Sequence, residues 1–528
     1  MEIGRNLRPD VWRRIDCSRN RVPLRNWTVH ALFILSLAMV GCSKKSLDVG
    51  NEPDPIDDVA AATAAEAAAF CGACHVPPDP RTYPKDHWPV EVQRGLDFYE
   101  KYEHKEELPA PLDRLALVKY YMDAAPERLG LPRPMTEVST SSVLFTRSSL
   151  SSPQGKVKPG VAHIFLDGNE LLVSDMTSGE VCKLGSSSSS PSLIAQVRAA
   201  THAERIDLKG NGSAGLLIAD IGDPTPEDHL LGRLLYLEED NGTPIEVVSD
   251  VGRLADFAVA DFTGDGRQDI VLAEFGYHEV GGLHLLTQGN DSDSESRLSF
   301  RSGLIDERHG ASHVFATDFD SDGDADLIVL HSQEFEEVAV YLNDGSGGFN
   351  RETVFSAPLP DYGCSCIDIG DIDGDGDVDV VLTNGDSMDS FLLKPHHSVQ
   401  WLENVSEAKS EPTFVHHHVG TLVGAYGAAL GDLDGDGDMD IAACAMTWDG
   451  SEINTVVWYE QQEENIFKAH ALDLSDSQHA CIEVGDFDQD GDMDIAVGEF
   501  DQFAELETWF SIWWNQGTSE TETKVVHR

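Results

Sequence analysis

The chain has 528 residues, 41% of them apolar and 25% charged, with a formal net charge of −56. That apolar content is enough for a sizeable core, so the acidity does not mark a disordered tail, and so negative a chain is excluded as a nucleic-acid binder by repulsion from phosphate. The length suits two or three domains, and the acids gather at intervals rather than running together, which points to cation sites.

The first element is a targeting segment. Arg5, Arg8, Arg13, Arg14, Arg19, Arg21 and Arg25 precede the apolar run ALFILSLAMVG, which is too short for a stable membrane-spanning helix and reads as the core of a signal peptide over residues 1–41. The run closes on Met39-Val40-Gly41-Cys42, followed by Ser43-Lys44-Lys45, and resembles a bacterial lipobox with Met where Leu is usual. The resemblance implies acylation of Cys42 and an exported protein tethered to a membrane without spanning it, with Ser43 favouring the outer membrane or cell surface. Residues 42–64 are small, acidic and Pro-bearing, and read as a flexible tether.

An Ala-rich helix then leads into Phe70-Cys71-Gly72-Ala73-Cys74-His75. C-x-x-C-H is the attachment signature of haem c: two thiols add to the haem vinyl groups and the adjacent imidazole supplies an axial nitrogen. A thioredoxin-like pair would need a βαβ context, and a zinc half-site a second CxxC; neither is present. Residues 65–132, with Pro77, Pro78 and Pro80 after the motif and the amphipathic stretch LDRLALVKYYMDAAPERL near the end, resemble a small all-α class I cytochrome c domain. The resemblance implies thioether bonds at Cys71 and Cys74 and proximal ligation by His75. The sixth ligand stays open among Met122, His87, His104 and none: no Met lies between Pro84 and Leu112, and Met122 falls inside the predicted last helix, where packing is the simpler role.

Residues 133–145 read as a Ser-rich linker. From 146 to 528 short β-branched runs alternate with Gly and Asp and show no long helical period, an all-β pattern. Its organising feature is a repeat: DFTGDGRQDIVLA, DFDSDGDADLIVL, DIDGDGDVDVVLT, DLDGDGDMDIAAC and DFDQDGDMDIAVG start at Asp261, Asp318, Asp371, Asp432 and Asp486, at spacings of 57, 53, 61 and 54 residues. Within the loops 261–269, 318–326, 371–379, 432–440 and 486–494, oxygens at positions 1, 3, 5 and 9 and the carbonyl at position 7 converge on one hard cation, because Gly at position 6 lets the chain turn sharply. The side-chain ligands are Asp261, Thr263, Asp265 and Asp269; Asp318, Asp320, Asp322 and Asp326; Asp371, Asp373, Asp375 and Asp379; Asp432, Asp434, Asp436 and Asp440; Asp486, Asp488, Asp490 and Asp494. Asp377, at position 7, is expected to give its carbonyl and turn its side chain to solvent. Calcium fits this donor set better than magnesium, which wants a stricter octahedron, or a transition metal, which wants nitrogen or sulfur. An EF-hand is excluded, since position 12 is Leu272, Val329, Leu382, Ala443 or Val497, never Glu.

The five copies resemble the FG-GAP or VCBS-type repeats of β-propellers such as the calcium-bearing blades of integrin α subunits. Two degenerate copies complete the set. RIDLKGNGSAGLLIAD keeps Asp207, Asn211 and Gly212 but has Lys209 and Gly215 where acids are needed, and the stretch from His163, HIFLDGNELLVSDMTSGEVCKL, has strand rhythm without a cation loop. The fold expected is therefore mainly β: a seven-bladed propeller preceded by a small all-α cytochrome-like domain.

As a whole the chain resembles bacterial lipoproteins that join a CxxCH domain to such a propeller, a resemblance that brings no established activity. It implies covalent haem c for electron transfer, about five Ca2+ ions bracing the propeller, and docking of a redox partner or surface ligand by a monomer. The alternatives are a propeller dehydrogenase that reduces its own haem and a non-redox adhesion protein; no catalytic triad, separable carboxylate pair or phosphate loop carries the first. His396-His397 and His416 to His418 read as solvated histidines. Cys364 with Cys366, and Cys444 with Cys481, are open candidates for disulfides. The insertion LTNGDSMDSFLLKPHHSVQWLEN falls where propeller loops commonly build ligand sites.

Overall fold

The structure, a computed structural model, describes residues 59–102, 105–130, 141, 143–289, 298–333, 335–388, 390–406, 411–447, 453–462, 466–501 and 503–518. The leader, Cys42 and His104 lie outside the described residues.

Seven four-stranded antiparallel sheets account for the β region. They are the blades of a propeller: residues 161–196, 200–251, 254–306, 311–356, 364–420 and 425–475 form blades 1 to 6, and blade 7 takes three strands from 479–518. Its fourth strand is Val143–Leu150, which pairs with Phe510–Thr518 in the register Leu150↔Phe510 and Arg147↔Trp513. The chain thus enters the ring at the outer edge of its last blade, and the ring closes without a free inner edge. Three residues of the expected linker, 143–145, belong to this closing strand.

The apolar runs after each acidic loop become the second strands. Asp269–Glu274, Asp326–His331, Asp379–Asn384, Asp440–Ala445 and Asp494–Glu499 are buried along their whole length. Each is covered on both faces by neighbouring blades, which is why it reads as continuous Ile, Val, Leu and Ala rather than as an alternation. Outer strands such as Phe349–Ser356 are only partly covered.

Neighbouring blades are also joined by side-chain amides. Gln288 Nε2 of blade 3 donates to Leu208 O of blade 2 at 2.6 Å, Asn343 Nδ2 of blade 4 to Phe262 O of blade 3 at 3.0 Å, and Asn515 Nδ2 of blade 7 to Leu433 O of blade 6 at 2.8 Å. Each bond reaches from the end of a third strand into the acidic loop of the preceding blade.

Among the described residues, three α-helices precede the propeller: α1 (Ala64–Cys71), α2 (Trp88–Lys101) and α3 (Arg114–Ala124). Thr63 and Glu66 close a reciprocal capping box on α1. Ala67, Tyr83, Trp88, Val92, Leu117, Val118 and Tyr121 form a separate small core in which Trp88 stacks on Tyr121, centroids 4.0 Å apart. This helical lobe rests on the propeller face from which the connections between second and third strands emerge. Phe98 of α2 meets His278 of blade 3 at 4.1 Å, Lys394 Nζ of blade 5 lies 5.1 Å over the Tyr83 ring, and Leu392 packs into the lobe core. The acidic loops join first to second strands and therefore sit on the opposite face. No described helix is long and apolar enough to cross a membrane.

The amide bonds between blades give a direct test. Asn343→Ala removes donors from the buried Phe262 O and the part-buried Ala325 O, at 3.0 and 2.9 Å. It should cost about 1–3 kcal/mol, read as a lowered calorimetric midpoint; an unchanged midpoint would mean that the bond between blades adds nothing.

Candidate functional site

In four of the five acidic loops the carboxylates at positions 1, 3 and 9 come together: Asp318, Asp320 and Asp326; Asp371, Asp373 and Asp379; Asp432, Asp434 and Asp440; Asp486, Asp488 and Asp494. One oxygen from each lies within 4.8 Å of the others. The turn that permits this depends on Gly at position 6: Gly323, Gly376, Gly437 and Gly491 have φ between +98° and +99°. Their amides donate to the position-1 carboxylates at 3.0–3.2 Å. The position-9 carboxylates are buried at the loop's end, and each accepts two backbone amides.

The position-5 carboxylates behave differently. Asp322, Asp375, Asp436 and Asp490 stand outside the trios and accept the amide two residues on, at 3.0–3.1 Å. Asp377 also departs from expectation. Its side chain is half-buried, with Oδ1 enclosed and unpartnered; burial, then repulsion from Asp375 and Asp379, raises its pKa to about 7.

A divalent cation fits these trios. Burial is the leading cause that raises Asp326 and Asp379 to about 6, Asp494 to about 7 and Asp440 to about 8, with neighbouring acids adding repulsion. Asp371 Oδ1 is buried without a hydrogen-bond partner. An all-oxygen set with an orphaned carboxylate oxygen suits a hard ion such as Ca2+, held by positions 1, 3 and 9 of each loop.

The loop at Asp261 is not such a trio. Arg267 pairs with Asp265, and the Thr263 hydroxyl donates to Asp269 at 2.9 Å. Position 3 is Thr263 rather than an acid, so the loop lacks the third carboxylate of the trio. The degenerate loop of blade 2 keeps the turn, with Gly210 at φ +62° and Gly212 at +82°, and Asp207 accepts the Asn211 and Gly212 amides. Its Lys209 pairs with Glu238. The backbone shape therefore survives where the acids do not.

On the other face, α1 ends at Cys71, and Gly72 follows because a Cβ there would meet Ala68 O at 2.5 Å. Cys71, Cys74 and His75 border a cavity of about 2040 Å3 whose walls include Trp88 and Tyr121 and which runs on into the central channel of the propeller. His75 Nδ1 donates to Val76 O at 2.8 Å, so Nε2 carries the lone pair that a metal would need. The Cys71 thiol is pushed up by burial and hydrogen-bonds to Tyr121. A haem attached through these residues fits the donor set and the aromatic walls. Neither Met122 nor His87 borders the cavity. Met122 packs against the lobe core, while His87 stacks on Tyr83 at 4.9 Å and approaches Glu91 at 3.0 Å.

The channel holds residues that the motifs did not single out. All seven inner strands have a register irregularity after their first residue. The residue that follows it is His163, His202, Asp256, His313, Cys366 or Cys481, with Gly427 in blade 6, and all seven border the cavity. In blades 2 to 7 this is the fifth residue before the first position of the loop, a constant offset that an alignment of the repeats on their acidic loops would have exposed. His202 Nδ1 is hydrogen-bonded to Asp256. Burial works against the His202 charge, but Asp256 outweighs it and raises the pKa; burial lowers His313, and burial with the His202 charge holds His163 well below its ordinary value.

The remaining polar residues have structural roles. His396 and His397 are not solvated: His396 stacks on Tyr362 at 5.0 Å, His397 Nδ1 accepts the Gly424 amide at 3.1 Å, and burial lowers them to about 4 and about 3. Of His416, His417 and His418, on the outer strand of blade 5, only His417 is half-buried, and it pairs with Glu403. Cys364, Cys366, Cys444 and Cys481 are free thiols; Cys444 Sγ donates to His479 O at 3.6 Å and Cys481 Sγ to Val161 O at 3.4 Å. The insertion after Asn384 docks the helical lobe, with Lys394 fixed by Asp361 at 2.8 Å.

Residues 261–329, 318–382 and 432–497 match the FG-GAP-like repeat, each span running from one acidic loop through the next and so crossing a blade boundary. The chain therefore carries FG-GAP repeats in a seven-bladed β-propeller. It matches none of the curated proteins with which it was compared. Among solved structures it is similar to a catalytically inactive virginiamycin B lyase from Staphylococcus aureus with quinupristin, at 12% identity over 70% of this chain and 99% of that one, TM-score 0.43. A streptogramin B lyase gives 11%, 70% and 98% with a TM-score of 0.43, and an ancestral GH74 enzyme 10%, 71% and 51% with 0.48. At these values none bears on what this chain binds or does.

Calcium titration of the chelated protein should find four sites, not five, since the loop at Asp261 lacks the trio. Chelation should lower the melting temperature, because each site at a hundredfold excess over its dissociation constant contributes about 2.7 kcal/mol. Asp440→Asn should remove one site. A fifth site, or a midpoint indifferent to chelator, would contradict this reading.

Proposed function

We propose that this chain is an exported protein, tethered through lipid on Cys42, in which haem c bound at Cys71, Cys74 and His75 exchanges electrons at the mouth of a calcium-braced propeller that docks its partner or ligand. The observation that carries the reading is the shared cavity. The two thiols and His75 open into the same space as the propeller channel, so a haem there would face whatever the channel admits. Two further features support it. The Nδ1 bond of His75 to Val76 O presents Nε2 in the manner of a haem-bound histidine, and Phe70, Tyr83, Trp88 and Tyr121 give the cavity aromatic walls. FG-GAP repeats on a propeller support the docking role independently of haem. The ring is complete within one chain, in keeping with a monomer.

The test is expression along a secretory route with haem maturation factors, followed by a reduced-minus-oxidised spectrum of the denatured and washed protein. Covalent haem should survive acid–acetone extraction in the parent and be absent from Cys71→Ser/Cys74→Ser. Protein that is exported and folded yet carries no haem absorbance overturns the electron-transfer reading and leaves a propeller that binds without redox chemistry.

A further inference from the structure

The channel presents a nitrogen-rich constellation that neither the calcium loops nor the CxxCH motif uses. His163, His202, Asp256 and His313 stand at the same register on the inner strands of blades 1 to 4, each placed there by the bulge that opens its strand. All four border the cavity. The His163 and His202 rings are 4.1 Å apart between centroids. Asp256 is pinned by the Phe257 and Val314 amides at 2.8 and 2.9 Å, and from that fixed position it holds Nδ1 of His202. Nε2 of His202 is consequently the outward nitrogen, and it is buried without a hydrogen-bond partner. His313 Nδ1 contacts the Ser312 hydroxyl at 3.2 Å, which directs its Nε2 away from the strand.

Channel carboxylates can be explained by the fold alone. Asp368 accepts the Leu430 amide at 3.0 Å and Glu483 the Leu166 amide at 3.2 Å, so each ties its blade to the next. Asp256 does the same to Val314, but it also orients a histidine, and two more histidines flank that pair. A carboxylate that fixes one imidazole nitrogen and leaves the other free is the arrangement that prepares histidine for a metal.

We propose that the channel binds a divalent transition-metal ion through the imidazole nitrogens of His163, His202 and His313, with Asp256 as the residue that positions His202. Imidazole donors select zinc, copper, nickel or iron over calcium, so the two ends of the propeller separate their ions by donor chemistry. Among the described residues only the four Asp trios already bring three donor atoms within 4.8 Å, so loading the channel turns the His163 and His313 rings toward His202. The surrounding cavity leaves them room to do so.

The test uses the full chain with Cys71→Ser and Cys74→Ser, which removes the CxxC thiols and makes the result independent of haem, with calcium present to fill the acidic loops. Co2+ is the probe, added and then desalted. A single retained equivalent with visible d–d absorption is expected. His202→Gln/His313→Gln should abolish both signals, Asp256→Asn should weaken binding by roughly 10- to 100-fold, and His416→Gln/His417→Gln/His418→Gln on the outer strand should change nothing. Should the double variant fail to match the parent's melting temperature, His163→Gln alone, on a different blade, decides by the same loss of signal. No retained cobalt, or cobalt retained unchanged in the channel variants, overturns the proposal.

Discussion

The propeller depends on one repeated interaction: in blades 3 to 7, a buried aspartate at the start of the second strand that accepts two backbone amides. Asp326 takes Phe319 N and Asn343 N at 2.9 and 2.7 Å; Asp379 takes Ile372 N and Asn404 N at 3.0 and 2.7 Å. Asp440 and Asp494 repeat the pattern, and Asp269 repeats it in the loop without a trio. One side chain thus fastens the acidic loop to the end of the third strand. In blades 3, 4 and 7 the residue at that end, Gln288, Asn343 or Asn515, reaches into the previous blade. The same carboxylate therefore sets the geometry of its own blade and, through the amide beside it, the spacing to the next.

That interaction carries an electrostatic cost, and the cost explains the loop around it. A carboxylate in this position loses solvent, and further acids crowd it, so the ionised form is disfavoured until a cation arrives. Where the crowd is absent, as at Gly215 in blade 2, no cation is needed and Lys209 takes a partner elsewhere. In the loop at Asp261 the Thr263 hydroxyl donates to the buried Asp269, while Arg267 pairs with the exposed Asp265. Acids clustered to suit a cation, a hydroxyl in place of one acid, and simple deletion are three answers to one problem of buried charge, distributed around a single ring.

Much of this was legible in the sequence because it repeats. Five loops with acids at fixed offsets, two degenerate copies and apolar position-12 residues led to seven blades, and the CxxCH motif was visible as five residues in a row. What escaped notice depends on contacts far apart in sequence. The closing strand at Val143 pairs with residues near 518, which no local pattern links to it. His396 and His397 appeared solvated because their burial comes from the fold of the insertion against Tyr362 and Gly424. The position-5 acids stand outside the trios and Asp377 is half-buried with Oδ1 enclosed, arrangements that the even spacing of the acids does not reveal. The channel ring was hidden in a different way. Its residues differ in type from blade to blade, so only their register relates them.

The placement of the helical lobe follows from the same geometry. A propeller concentrates variable connections on one face, and here the longest of them, after Asn384, supplies Leu392 to the lobe core and a buried Lys394 to the Tyr83 ring. A lysine removed from water needs a charge partner and a dry neighbour; Asp361 is the first and Tyr83 the second. Because the lobe touches blade 5 through Tyr83, ahead of α2, and blade 3 through Phe98 near the end of α2, it spans part of the channel mouth. The CxxCH thiols consequently open onto the cavity that the inner strands surround. The acid-bearing face and the cavity-bearing face lie at opposite ends of the same strands, and the bulges that open the inner strands stand at the cavity end.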